Sequence, residues 1–134
     1  MPGSSDLAKL QAYLAGQRDV VLAYLFGSWT GDQFAIESDY DMAVLTWPIV
    51  SSARRYQLAS ELTALLGGVP VDLVALNRAP VELAYAVVAE EQRVFEHDLA
   101  ARVEFEADVM SRYVDLVHTL REQRADLLRG GTDD

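Results

Sequence analysis

Phe26-Gly27-Ser28-Trp29-Thr30-Gly31-Asp32-Gln33-Phe34-Ala35-Ile36-Glu37-Ser38-Asp39-Tyr40-Asp41 joins two apolar runs through a small-residue turn and a pair of carboxylates. An apolar run, Val20 to Phe26, stops at Gly27-Ser28, and ten residues then separate Ser28 from Asp39. Asp39-Tyr40-Asp41 opens a second apolar run, Met42 to Leu45. The pattern predicts strand, Gly-Ser turn, loop, and a strand that begins with two carboxylates. Side chains two apart on a strand share a face, roughly 6.5–7 Å apart along it. Asp39 and Asp41 can therefore converge on hard cations such as Mg²⁺, which take oxygen ligands. Gly27 lets a backbone approach a phosphate closely, and Ser28 adds a hydroxyl and an N–H beside it. Without such a ligand the same residues read as a connection with a solvated acidic turn.

Working outward, Ser4 or Ser5 can cap a helix from Asp6 to about Gln17, with Leu7, Leu10 and Leu14 as its apolar stripe. Val20–Phe26, continuous and rich in β-branched and aromatic residues, suits a strand covered on both faces. The next strand spans Asp39 to Trp47 and stops at Pro48. Ser51 or Ser52 caps a helix to Leu66, whose inner face is Leu58, Leu62, Leu65 and Leu66, and Gly67-Gly68 ends it. Val69 to Leu76 reads as a third strand. Asp72 interrupts it and shares a face with Val74 and Leu76. A buried lone carboxylate is costly unless paired or bound to metal, whereas an edge Asp facing water costs nothing; the pattern leaves both open.

Pro80 starts a helix to about Glu91, with Leu83, Ala84, Val87 and Val88 inward, and Arg93–Glu96 is a short last strand. From Asp98 to about Leu128 the pattern is helical, with a tail, residues 129–134, that frays. This long helix carries one stripe of Leu99, Val103, Met110, Val114 and Val117, and a second of Tyr113, Leu116, Leu120 and Leu127. Two stripes permit packing on the chain's own sheet and on a partner, or one wide intramolecular contact. The order α-β-β-α-β-α-β-α predicts an α/β (α+β) domain on a small mixed sheet flanked by helices, one domain over residues 1–134.

Composition narrows the chemistry. Eleven basic residues face 21 acidic ones, a net charge of −10. Nucleic-acid binders carry basic patches that displace counterions from phosphates, so a long RNA or DNA substrate is not expected. The charge leaves open a small nucleotide carried with Mg²⁺, whose metal supplies the positive charge, and a basic or neutral protein partner. No apolar run approaches the ~20 residues that cross a bilayer. No secretory leader is seen, and there is no cysteine, which excludes disulfides and thiolate metal sites and fits a cytoplasmic protein. Lys9 is the only lysine, so no P-loop or nucleophilic lysine is available. His97 and His118 each stand alone and read as surface or cap residues.

Gly27-Ser28 followed at this spacing by Asp39-x-Asp41 resembles the signature of the DNA polymerase β-like nucleotidyltransferase superfamily. Within it the chain is similar to minimal nucleotidyltransferase (MNT) domains, and above all to the adenylyltransferase antitoxins paired with HEPN ribonuclease toxins. Beyond the site, the likeness rests on Val71-Asp72-Leu73-Val74-Ala75-Leu76-Asn77-Arg78-Ala79, on Arg93-Val94-Phe95-Glu96, and on Ala101-Arg102-Val103-Glu104-Phe105-Glu106 of the long helix. The resemblance implies a nucleotidyltransferase fold and two Mg²⁺ ions held by Asp39, Asp41 and Asp72, with Asp72 helping to deprotonate the nucleophile. It implies that Gly27 and Ser28 hold the triphosphate of ATP, and that AMP passes to a tyrosine of a HEPN toxin. It also allows a homodimer or hetero-oligomer through the last helix. Many such enzymes carry Arg directly after Gly-Ser and again before the next Gly; here those places hold Trp29 and Thr30. The competing expectations are an antitoxin that acts by contact alone and a small-molecule nucleotidyltransferase of the aminoglycoside-modifying kind.

Overall fold

The computed structural model describes residues 4–26, 40–90 and 92–130. Among these residues four strands form one sheet: β1 (Val20–Phe26), β2 (Tyr40–Thr46), β3 (Val71–Ala75) and β4 (Arg93–Glu96). Their order is β3-β2-β1-β4. β1 is antiparallel to both β2 and β4, and β2 and β3 run parallel. The helices are α1 (Ser4–Ala15), α2 (Ser52–Leu65), α3 (Val81–Glu90) and α4 (Leu99–Gly130). This is the mixed sheet with flanking helices that the element order predicts.

The sheet is covered on both faces, which is why β1 and β2 read as near-continuous apolar runs. On one face Leu10 and Leu14 of α1 and Leu58 and Leu62 of α2 pack on Ala23, Leu25, Met42, Val44, Val71 and Leu73. On the other, Ala84, Val87 and Val88 of α3 and Val109 of α4 pack on Leu22, Tyr24, Ala43 and Leu76. Fully burying one such side chain is worth about 1.5–3 kcal/mol, so these two layers dominate the stability of the sheet.

Local signals end the elements where they were expected, with three corrections. Ser51 caps α2, its Oγ accepting from the Arg54 N–H at 3.1 Å, and Gly67 and Gly68 end it with φ of 72° and 94°. β3 starts at Val71, two residues later than the apolar pattern, because Pro70 lacks the N–H a ladder needs. It ends at Ala75, since Leu76–Arg78 turn into a 3₁₀ helix. The last helix runs to Gly130, so Arg129 and Gly130 belong to it and not to a tail; Asp98 Oδ1 caps its start by accepting from the Ala101 N–H at 2.7 Å.

The third correction concerns the stripes of α4. Val109 is its fully buried residue, Phe105 packs partly against the same cluster, and Tyr113 stacks on Tyr85 of α3 with ring centroids 3.8 Å apart. Tyr113 thus makes an intramolecular contact through one face of its ring. Leu99, Val103, Met110 and Val114 are exposed, as are Leu120 and Leu127 further along. No helix among the described residues is long and apolar enough to cross a membrane.

Candidate functional site

The site is built where three strand ends meet. Asp41 is the second residue of β2 and Asp72 the second residue of β3, and the parallel register pairs them directly. Cross-strand partners share a face with Cβ atoms about 4.5–5.5 Å apart, so two carboxylates stand side by side. On its other side Asp41 pairs with Phe26, the last residue of β1. Phe26 is bonded covalently to Gly27, so the Gly-Ser motif follows in sequence directly after the strand end that flanks this carboxylate pair. Tyr40 likewise joins Asp39 to the start of β2. Gly27, Ser28 and Asp39, with Trp29 and Thr30, lie outside the described residues.

The two carboxylates differ in setting. Asp41 is half-buried and shares its face of the sheet with Ala43, Leu45 and Phe26, the layer that α3 and α4 cover. Asp72 is exposed on an edge strand. Of the two settings its sequence left open, the structure gives the edge position, so no burial cost forces Asp72 to find a cation. Its place beside Asp41 nonetheless forms a paired oxygen donor set. Among the described residues no group of three His, Cys, Asp or Glu converges as a metal site; Asp39 is not one of those residues. His97 and His118 are exposed and lie on other elements.

Two contacts that the sequence pattern did not disclose hold this sheet in register. Asn77 acts as an extra rung at the end of β2. Its Oδ1 accepts from the Thr46 N–H at 3.1 Å and from the Thr46 hydroxyl at 3.3 Å, while its Nδ2 donates to the Thr46 carbonyl at 2.8 Å. Asparagine immediately after a strand is a turn signal, but only the fold shows which backbone it binds. Arg54 of α2 makes a bidentate pair with Asp19, both contacts 2.9 Å, and also donates to Gln17 Oε1. The guanidinium holds the Asp19 carboxyl below its ordinary range and ties α2 to the start of β1.

Behind the site, a polar cluster links α4 to the sheet. Tyr24 donates to Glu106 at 2.7 Å, and Arg102 pairs with Glu96 at 2.6 Å and with Glu106 at 3.4 Å. Burial, and then the hydrogen bond to Glu106, push the Tyr24 phenol well above its usual value. This cluster gives the Arg102-to-Glu106 run a positioning role against β1 and β4.

Comparison with known proteins agrees with this arrangement. The model of the family described as "Polymerase beta, Nucleotidyltransferase" matches residues 8–100. Over 74 residues the chain is 35% identical to protein adenylyltransferase MntA of Shewanella oneidensis, covering 55% of this chain and 52% of that protein. The match therefore spans about half the length of this curated relative. Among solved structures, the fold superposes on a chain of the toxin-antitoxin MntA-HepT with a TM-score of 0.69 and 25% identity, covering 94% of this chain and 99% of that one. It superposes on a chain of a toxin-antitoxin with AMP-PNP at a TM-score of 0.70 and 27% identity, covering 91% and 98%. A third match is to a chain from a tri-AMPylated Shewanella oneidensis HEPN toxin in complex with its MNT antitoxin. There the TM-score is 0.66, the identity 26%, and the coverage 92% and 97%.

Proposed function

The chain belongs to the polymerase β nucleotidyltransferase family, and we propose that it is an antitoxin that transfers AMP from ATP to a tyrosine of a HEPN-type toxin. The observation that carries this reading is the direct pairing of Asp41 with Asp72 at the end of β1 that leads into Gly27-Ser28. The MntA relative, named a protein adenylyltransferase, and the AMPylated HEPN toxin with its MNT antitoxin support the choice of acceptor.

In this reading Asp39, Asp41 and Asp72 would hold two Mg²⁺ ions, which would supply positive charge to the triphosphate. An all-carboxylate donor set fits that hard cation. Gly27 and Ser28 receive the phosphates through backbone N–H and hydroxyl donors. The acceptor tyrosine oxygen attacks the α-phosphorus and forms a phosphodiester. The bond from the α-phosphorus to the bridging oxygen breaks, pyrophosphate leaves, and Asp72 takes the phenolic proton. Residues 1–134 act as one domain, working in the cytoplasm where ATP and the toxin meet.

Trp29 and Thr30, standing where many related enzymes carry arginine, favour a second reading, neutralisation by contact alone. Incubation with ATP, Mg²⁺ and a HEPN-type toxin that this chain neutralises, followed by intact-mass spectrometry, separates them. Increments of one adenylyl residue on the toxin support the enzyme. An unmodified toxin held in a stable, inactive complex supports the second reading.

A further inference from the structure

The free edge of β3 is an open half-ladder that ends on the carboxylate pair. Among the described residues β3 has a neighbour on one side alone, β2. The Tyr40 N–H donates to the Pro70 carbonyl at 2.9 Å, so the main-chain groups of residues 70, 72 and 74 point at β2. Those of Val71, Leu73 and Ala75 point away, since successive residues alternate. The Val71 N–H confirms this, because it donates outward to Thr63 Oγ1 of α2 at 3.0 Å. The Val71 carbonyl, both main-chain groups of Leu73 and the Ala75 N–H remain on the side where no strand among the described residues pairs. Along them lies a trough between β3 and α2, in two adjoining hollows of about 710 and 810 Å³ that share Ser52, Arg55 and Leu73. Tyr56 of α2, 75% exposed, stands over it.

We propose that this trough receives an extended segment of the acceptor protein as a fifth strand, placing the tyrosine to be modified opposite Asp72. The inference rests on the adenylyltransferase reading above. Register continuity names the occupant. Phe26, Asp41 and Asp72 form one cross-strand row on one face of the sheet, and the next position in that row belongs to a strand added to β3. A side chain there projects on the same face as both carboxylates. A tyrosine is long enough to carry its hydroxyl over them while its backbone stays in the ladder. Main-chain pairing between a sheet edge and a helix is a recurrent way to bind an extended peptide.

The test follows amide hydrogen exchange of the ¹⁵N-labelled full chain by NMR. The chain is measured alone, and with a HEPN-type toxin that it neutralises, Mg²⁺ and α,β-methylene-ATP, whose α–β linkage the reaction cannot break. Leu73 and Ala75 amides are expected to slow at least tenfold on complex formation, whereas those of Asp72 and Val74 are slow throughout. AMP transfer from ATP is scored separately by intact mass. Transfer with Leu73 and Ala75 unchanged at saturation overturns the added strand and leaves the enzyme reading intact. Protection without transfer keeps the docking mode and removes the enzyme reading; neither result removes both. Protection that grows with the concentration of this chain alone identifies a second copy as the occupant and overturns the proposal. Ala75→Pro removes one outward N–H at a φ of −87°, near proline's range. It is expected to raise the acceptor KM about fivefold, the effect of one hydrogen bond, with ATP affinity unchanged.

Discussion

Asp41 and Asp72 are direct partners on parallel strands, one half-buried and the other exposed at the sheet edge. Like charges this close repel each other, and bound cations reverse that repulsion. ATP binding is therefore expected to require Mg²⁺ or Mn²⁺. Isothermal calorimetry with ATP, with and without a chelator, checks this; equal binding after chelation contradicts a carboxylate metal site.

The Arg54–Asp19 pair makes a pH-dependent contribution to stability. Asp19 has a depressed folded-state pKa, set first by its hydrogen bonds to Arg54. Its contribution is thus present above the unfolded value of about 3.9 and is lost as pH falls through the folded value. Arg54→Ala should cost about 1 kcal/mol at pH 7, and the difference from wild type should shrink steadily below pH 4 or so. Urea melts across that range measure it. A cost independent of pH points to lost packing by the Arg54 stem instead.

Asn77→Ala removes the acceptor for the Thr46 N–H and the donor to its carbonyl, on a residue that is 1% exposed. Leaving such buried groups unpaired costs about 1–3 kcal/mol each at most, so a loss of roughly 2 kcal/mol is expected. Chemical denaturation of the variant tests it. A loss below about 0.5 kcal/mol, the usual effect of a surface change, contradicts the role assigned to this side chain.

The long helix offers a contrast between adjacent turns. Val109→Asp places a charge in the layer beneath Leu22 and Tyr24 and should prevent folding. Leu120→Asp with Leu127→Asp alters residues that are 51% and 76% exposed, and the melting curve should hardly move. Circular dichroism on the two variants decides. Unfolding of the Leu120/Leu127 variant shows that the end of α4 is packed.

The sequence pattern and the fold agree most closely where one residue type settles the local outcome. Val20 to Phe26 is strand from end to end, because an apolar run covered on both faces has no other stable place. Gly67 and Gly68 end α2 in the left-handed conformation that other residues avoid. The pattern overextends β3 because apolar character at Val69 and Pro70 carries no information about lost N–H donors. The stripes of α4 mislead for a different reason: a 32-residue helix repeats the same spacing beyond the body it packs on, so periodicity alone does not show where the contact ends. Asp41 and Asp72 are legible as chemistry in the sequence, but their register is not, since it depends on how β2 and β3 align. Asn77 and Thr63, which bind backbones 31 and eight residues away, carry no local mark of those partners.

If this carboxylate site transfers AMP, replacing Asp39 and Asp41 with asparagine stops the transfer. The double substitution keeps volume, removes charge from the proposed metal ligands and relieves repulsion in the metal-free chain. Intact-mass spectrometry of the cognate HEPN-type protein, after incubation with ATP and Mg²⁺, should show adenylyl increments with the wild-type chain. The variant should show a rate lower by about three orders of magnitude or more, each tenfold being 1.36 kcal/mol of barrier, while still forming the complex. Adenylyl increments of equal rate from the variant, or none from the wild-type chain when it silences the toxin fully, contradict the account.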